Sequence, residues 1–368
     1  MGVFFLWLAL AAAVFTFWNA YAAVQFESGK RGRKKDRTVL VQKKLRLGRH
    51  GFYSMAALVA LVSVYLLYLI FSHQFQYEYV YRYSSRDLSW GLLLSTFWAG
   101  QAGSFLLWAL YTALMGIVFL RTAREWQSHG MLFLTAVEGF FLILLLKAGP
   151  FVKQATIPAD GVGLNPLLQN FWMVIHPPVL FLGYAAAAFP LVLALSALAR
   201  KDFGSWEARA LPWTLFTSVT LGAGIVLGGY WAYGTLGWGG YWGWDPVENS
   251  SFVPWLVSFA LFHGLIIEKT RGALKRTNLL LAILLFVLVL YATFLTRSGV
   301  LADFSVHSFQ DLGLSSLLLL FLLLPIGLGL WLFVRRYDSV PVAPLGFGRL
   351  NRENLLFYSM LVLLGSAG

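Results

Sequence analysis

Residues 278–295 read Asn278-Leu-Leu-Leu-Ala-Ile-Leu-Leu-Phe-Val-Leu-Val-Leu-Tyr-Ala-Thr-Phe-Leu295, without a single charged side chain. An α-helix rises about 1.5 Å per residue, so about 20 residues cross the roughly 30 Å hydrocarbon layer of a bilayer. The rest of the chain has the same character, with 59% hydrophobic residues, 12% charged residues and a mean hydropathy of +0.70. This composition excludes a water-soluble globular protein and predicts membrane-spanning helices.

Nine or ten runs of this kind occur along the 368 residues. The predicted spans are 2–24, 51–71, 92–120, 130–148, 177–199, 211–231, 252–267, 278–295, 314–334 and 355–368. We therefore predict an all-α fold, a polytopic transmembrane helix bundle that forms a single membrane domain over 1–368. The last run stops at Gly368 within an apolar stretch, and we expect a carboxy-terminal remainder beyond it.

The distribution of positive charge predicts the orientation of the bundle. No lysine or arginine precedes the run 2–24, and a dense basic segment, Lys30 to Arg49, follows it, which is the reverse of a signal peptide. Loops after alternate spans hold 23 of the 28 lysines and arginines, which marks those loops as cytoplasmic. The amino terminus and the segment 238–250 are then predicted to lie outside.

The net charge of +12 and the lack of cysteine exclude several classes of protein. The positive side chains lie beside apolar spans and lack interleaved aromatics for base stacking, so they favour anionic membrane lipid over nucleic acid as a partner. A chain without cysteine has no disulfide, no thiolate metal site and no haem-attachment motif of a c-type cytochrome. Histidine remains as the soft-metal ligand.

An aromatic, glycine-rich segment occupies 238–255 and reads Trp-Gly-Gly-Tyr-Trp-Gly-Trp-Asp-Pro-Val-Glu-Asn-Ser-Ser-Phe-Val-Pro-Trp. The indoles of Trp238, Trp242 and Trp244 can offer flat apolar faces and N–H donors to one large planar ligand, such as a porphyrin. Aromatic side chains also collect at membrane interfaces without binding anything. Both interpretations stay open on residue types alone.

Two carboxylates close this segment and also have two interpretations. Asp245, Pro246 and Glu248 stand where the N-cap, the first helical residue and the third helical residue of a capping box would lie. The carboxylates then either cap a helix or contact the ligand. If they only cap it, Asp245→Asn should preserve most ligand binding.

Three of the six histidines are candidate metal ligands. His176 precedes Pro177 and Pro178, which are expected to begin the span 177–199 and to hold the imidazole at the outer rim. His307 follows the eighth span on the same predicted side, and two such imidazoles beside a flat aromatic surface would form a bis-histidine iron site. His263 lies within 252–267, as an intramembrane haem ligand or as a histidine approaching the cytoplasmic interface.

Several segments resemble the tryptophan-rich haem-handling proteins of cytochrome c biogenesis, and specifically the CcmF family of cytochrome c haem lyase subunits. The resemblance covers essentially the whole chain. The matching motifs are Trp238-Gly-Gly-Tyr-Trp-Gly-Trp-Asp-Pro-Val-Glu-Asn249, Asn165-Pro-Leu-Leu-Gln169, His176-Pro-Pro178 and Thr296-Arg-Ser-Gly-Val300.

The resemblance implies a set of haem-binding residues. His176 and His307 correspond to the two external histidines that ligate the incoming haem, and His263 to a transmembrane ligand of a b-type haem. The second ligand of that b-type haem is a later histidine in the family and is missing from this sequence, whose last histidine is His307. Arg297 is a candidate partner for a haem propionate, or a simple interfacial anchor. Catalytic residues stay unknown.

The resemblance also implies an activity and partners. In this family, haem at the outer face of the bacterial inner membrane is attached through thioether bonds to the Cys-x-x-Cys-His motif of apocytochrome c. The implied partners are the haem chaperone CcmE and a CcmH-type protein. Two alternatives stay open: a one-piece haem exporter and cytochrome c synthase, and a transporter of haem or a lipid-linked substrate without attachment chemistry. Bound haem would distinguish the haem-handling functions from transport of another substrate.

Overall fold

The computed structural model describes residues 1–29, 36–305, 307–309, 312–344 and 352–367. Among these residues every regular element is helical, apart from an isolated antiparallel bridge between Tyr77 and Lys153. The predicted all-α fold is therefore confirmed. The basic residues Lys30 to Lys35 lie outside the described ranges.

Nine helical segments within the described ranges are long and apolar enough to cross a membrane. The helices are α1 (Gly2–Glu27), α2 (Arg37–Phe71), α3 (Glu78–Tyr83), α4 (Trp90–Ala99), α5 (Gln101–Thr122), α6 (Gln127–Ala148), α7 (Phe171–Ala186), α8 (Ala188–Arg200), α9 (Trp206–Thr235), α10 (Pro246–Arg271), α11 (Lys275–Arg297), α12 (Ser315–Arg336) and α13 (Arg352–Ala367). Helices α7 and α8 follow each other as one span, Phe171–Arg200. The tenth predicted span falls in α13, a shorter apolar helix.

The predicted span 92–120 is wrong at its start, because the chain leaves the helical conformation at Gly100 (φ −93°, ψ 162°). The hydroxyl of Tyr79 lies 3.0 Å from the carbonyls of both Thr96 and Phe97, and it accepts a hydrogen bond from the Gly100 amide at 3.2 Å. A side chain from another helix thus satisfies the backbone groups that a continuous helix would pair. Only α5 spans the membrane here.

The start of the helix that carries His176 also differs from the prediction. Helix α7 begins at Phe171 and contains Pro177 and Pro178 in its interior. The side-chain oxygen of Asn170 accepts a hydrogen bond from the Trp172 amide at 2.9 Å and so caps the earlier start. His176 therefore lies on the helix rather than ahead of it.

A contact from another helix compensates for proline inside α7. Proline has no N–H, so the Met173 carbonyl loses the partner that residue 177 would normally provide. The indole Nε1 of Trp98 donates a hydrogen bond to this carbonyl at 3.1 Å. The helix can therefore run through the two prolines with the freed acceptor satisfied.

The described residues form two compact units. Unit 1 comprises Met1–Phe181 and Leu227–Tyr241, and unit 2 comprises Leu182–Val226 and Trp242–Gly368. The single domain predicted over 1–368 stays a prediction.

Small residues allow helices α1 and α2 of unit 1 to approach closely. Ala9 and Ala20 of α1 are fully buried. A side chain at Gly51 of α2 would meet the Thr16 hydroxyl and lie 2.9 Å from a ring carbon of Phe15. Lipid is as apolar as leucine, so such close van der Waals packing is what holds spanning helices together.

In unit 2, a buried carboxylate joins helices α9, α10 and α11. Glu268 is 3% exposed and accepts hydrogen bonds from the Trp206 indole at 2.8 Å and from the Asn278 amide at 2.9 Å. The Lys275 ammonium lies 3.5 Å from the same carboxylate and donates to the Phe203 carbonyl at 2.9 Å. These contacts offset part of the cost of burying the carboxylate.

Candidate functional site

The segment rich in tryptophan ends in the predicted capping box. Asp245 accepts a hydrogen bond from the Val247 amide at 2.8 Å, and α10 begins at Pro246. The Glu248 carboxylate accepts from the Asp245 amide at 3.2 Å and from the Gly243 amide at 2.9 Å. The helix-capping interpretation of both carboxylates is confirmed.

The neighbouring indoles of Trp242 and Trp244 do not form one flat surface. In unit 2, Trp242 and Trp244 meet edge to face, with ring centroids 6.2 Å apart and an interplanar angle of 86°. In unit 1, Trp238 is exposed and its indole N–H donates to the Gly240 carbonyl at 3.0 Å. A planar ligand that lies against the face of Trp244, which is 70% exposed, would meet Trp242 edge-on.

His176 lies against a glycine of α9 within unit 1. A Cβ atom at Gly228 would stand 2.7 Å from Cε1, 3.0 Å from Nδ1 and 3.2 Å from Nε2 of the imidazole. Since carbon atoms in proteins do not approach to 2.7 Å without bonding, only glycine leaves room for this ring position. The sequence offered one signal that we did not use: adjacent Gly228 and Gly229 in an apolar span, where each costs about 1 kcal/mol relative to alanine.

A row of aromatic rings in unit 1, here called the aromatic ladder, begins one helical turn from His176. Trp172 stacks on Tyr230 at 5.0 Å, Tyr230 meets the edge of Tyr241 at 5.3 Å, and Tyr241 stacks on Tyr233 at 4.5 Å. The three tyrosines are about half exposed. No sequence pattern predicts the ladder, because its rings come from α7, α9 and the loop after α9.

The motif Asn165-Pro-Leu-Leu-Gln169 and the residue that follows it, Asn170, contact the end of α9. The Asn165 side chain accepts a hydrogen bond from the Leu167 amide at 3.0 Å, which forms a short turn. The Leu167 carbonyl accepts one from the Trp231 indole at 2.9 Å, and Asn170 donates to the Thr235 hydroxyl at 3.2 Å. The motif therefore fixes the start of α7 to the end of α9.

His307 is held by the residue that caps α10. The Asp245 carboxylate lies 3.5 Å from Nδ1 of His307 and accepts a hydrogen bond from the Ser305 hydroxyl at 2.7 Å. The same hydroxyl accepts one from the His307 amide at 3.1 Å. A carboxylate beside one ring nitrogen is how proteins orient an imidazole that binds metal through the other. Sequence spacing alone does not predict that Asp245, the cap of α10, also lies beside His307.

His263 lies in unit 2, half-buried between α10 and α13. Its Nδ1 atom is 3.2 Å from the Ser359 hydroxyl. A Cβ at the next residue, Gly264, would lie 3.4 Å from the Met360 sulfur, which shows how closely the two helices pack. His263 is thus placed on a helix-helix contact.

Arg297 ends α11 and is 6% exposed. Its guanidinium carbon lies 4.6 Å from the centre of the Phe309 ring, a cation–π contact. A guanidinium this buried does not resemble a solvated interfacial anchor. The propionate contact stays a prediction.

The candidate ligands His176, His263 and His307 fit haem better than a bare metal ion. No group of three or more His, Cys, Asp or Glu side chains that could hold a metal ion occurs in the part of the chain that the structure describes. A porphyrin supplies four nitrogens itself, so the protein adds only one or two axial imidazoles. His307 and His263 each have Nδ1 beside a side-chain oxygen. His176 lies in unit 1 and His307 in unit 2, and their pairing on one iron stays a prediction.

Comparisons with known proteins agree with the resemblance noted from the motifs. The family model of the cytochrome C assembly protein matches residues 98–301. The cytochrome c-type biogenesis protein CcmF of Pseudomonas fluorescens is 42% identical over 311 residues, which cover 82% of this chain and 46% of that protein. The probable cytochrome c-type biogenesis protein NrfE of Escherichia coli is 36% identical over 330 residues, covering 86% of this chain and 58% of that protein.

A solved structure described as cytochrome c heme lyase CcmF has a TM-score of 0.77 and 29% sequence identity with this chain. The alignment covers 100% of this chain and 54% of that structure. The chain thus spans about half the length of the curated relatives it matches. Together with the nine apolar helices of the described residues, these relatives indicate a multi-pass membrane protein.

Proposed function

Since the chain belongs to the cytochrome C assembly protein family, we propose that it is part of a cytochrome c haem lyase. In this role it holds haem at the outer membrane face for covalent attachment to apocytochrome c. The observation that carries the proposal is the imidazole of His307 beside the Asp245 carboxylate, at the end of the tryptophan-rich segment. A carboxylate-oriented imidazole beside exposed indoles matches the needs of an iron porphyrin.

The membrane sidedness follows from counting spans. Successive spans alternate in direction, so the start of α7, the segment 236–245 and the segment after α11 all belong on one side. The excess of lysine and arginine on the other side assigns that other side to the cytoplasm. We therefore place His176, His307 and the tryptophan-rich segment at the periplasmic face of the bacterial inner membrane.

Each residue has a defined role in this proposal. His176 and His307 would hold the haem iron through their imidazoles, and the exposed indoles would cover the apolar porphyrin surface. Arg297 neutralises a propionate. When bound, haem supplies two vinyl groups that accept the cysteine thiols of Cys-x-x-Cys-His. The protein contributes positioning, since holding two reactants at near-attack distance lowers a barrier by as much as about 7–11 kcal/mol.

A second haem is proposed at His263, within the membrane. A neutral imidazole on a spanning helix binds a b-type haem iron through one ring nitrogen. The haem chaperone CcmE delivers the external haem, and a CcmH-type protein presents the reduced apocytochrome.

Removal of either external histidine tests the proposal. We expect His176→Ala and His307→Ala to lower external haem occupancy and to convert the low-spin six-coordinate spectrum to a five-coordinate or water-ligated one, because one axial bond is lost. The measurement is the absorption spectrum of protein purified after haem-replete expression. His50→Ala, at an exposed residue of α2, is the matched control. Unchanged spectra in both variants, or wild-type protein without any chromophore, would exclude this function.

The structure changes the expectation for Asp245→Asn. Asparagine caps helices about as well as aspartate, so protein level should be preserved. The carboxylate beside His307 is lost, however, and loss of such an orienting group typically weakens metal binding 10- to 100-fold. We therefore expect normal membrane abundance with about tenfold or greater loss of external haem affinity.

Two further variants make this test specific. Asp303→Asn neutralises an exposed carboxylate four residues before His307 and should leave haem binding unchanged. Asp245→Ala removes the cap as well and should cost about 0.5–2 kcal/mol of stability. If Asp245→Asn binds haem with the affinity of the wild type, helix capping is the whole role of this carboxylate.

A further inference from the structure

The hydroxyl of Ser359 touches two groups. Its oxygen lies 2.9 Å from the carbonyl oxygen of Leu356, one turn earlier on α13, and 3.2 Å from Nδ1 of His263 on α10. Both distances lie within the range of a hydrogen bond. The donor in each contact follows from counting protons.

A serine hydroxyl has one proton and two lone pairs, whereas a carbonyl oxygen can only accept. The shorter contact, at 2.9 Å, assigns the hydroxyl proton to the Leu356 carbonyl. Toward His263 the hydroxyl can then only accept, so the proton of that contact belongs to Nδ1 of the imidazole. In a neutral imidazole the other nitrogen, Nε2, then carries the lone pair.

We propose that Ser359 is a positioning residue that holds His263 as the Nδ1–H tautomer and presents the Nε2 lone pair to haem iron. This inference rests on the proposed role of His263 as a haem ligand. Ser359 itself touches no iron. It acts by fixing the proton and the ring orientation, as outer partners of metal-bound histidines do.

The tautomer can be measured directly in haem-free protein by ¹⁵N NMR of protein labelled only at histidine. The His263 signals are assigned by their loss in His263→Gln. We expect the Nδ1–H tautomer in the wild type and in Ser359→Thr, which keeps the hydroxyl, and a shift toward Nε2–H in Ser359→Ala. Ser366→Ala removes another serine of α13, with its own bond to the Val362 carbonyl, and should change nothing.

Haem binding supplies a second readout, with ferric haem as the probe. We expect Ser359→Ala to weaken binding about tenfold at the site that His263→Ala abolishes, with restoration in Ser359→Thr. A wild-type Nε2–H tautomer, or an unchanged tautomer in Ser359→Ala, overturns the inference whatever the haem result.

The haem titration separates the inference from the function on which it rests. If His263→Ala loses a haem and Ser359→Ala binds haem as tightly as the wild type, the positioning role of Ser359 is wrong and the ligand role of His263 stands. If wild type and His263→Ala bind equally, both the ligand role and the positioning role are wrong.

Discussion

Gly228→Ala is expected to reduce external haem binding as far as removal of the His176 imidazole does. The added methyl group would stand 2.7 Å from Cε1 of that ring, so the ring must leave its position. The three nearest atoms all belong to the imidazole, so the clash is relieved by displacing the His176 ring itself. The absorption spectrum should resemble that of His176→Ala.

Gly234→Ala provides the matched control on the same helix. A Cβ there lies 3.7 Å from the Asn170 amide nitrogen, an ordinary van der Waals distance. Both substitutions gain about the same helix propensity, near 1 kcal/mol, so a difference between them reports the contact with His176. Equal haem spectra for the two variants would show that His176 does not bind haem from its position against Gly228.

Glu268→Ala is expected to have the largest effect on stability. Its removal leaves the indole N–H of Trp206 and the amide of Asn278 without this acceptor, and the largely buried ammonium of Lys275 without its carboxylate partner. Breaking a buried charged pair typically costs about 3–5 kcal/mol. We expect a strong drop in membrane abundance and in the thermal unfolding temperature in detergent.

Two variants distinguish the loss of the Glu268 contacts from a general effect of removing a charge. Glu268→Gln keeps an acceptor oxygen and should be less destabilised. Lys269→Ala removes an exposed charge at the next position and should unfold at the wild-type temperature. Whatever protein survives in Glu268→Ala should keep its external haem spectrum, and selective loss of haem at normal stability would contradict a structural role.

The sequence alone determined the features that depend on neighbouring residues. Nine of the ten predicted spans correspond to described helices that are long and apolar enough to cross a membrane, because the length and hydropathy of a run largely decide whether it forms a spanning helix in lipid. The capping box of α10 was predicted as well, since Asp245 and Glu248 bond to amides within five residues. The family motifs identified the family.

Only the tertiary structure decided the features that join distant residues. Tyr79 breaks the predicted span at Gly100, and Trp98 lets α7 run through its prolines, from 75 residues away. Ser305 reaches Asp245 across 60 residues, and Ser359 reaches His263 across 96. A hydrogen bond or a steric limit depends on where two groups meet in space, and hydropathy and helical period carry no information about that position.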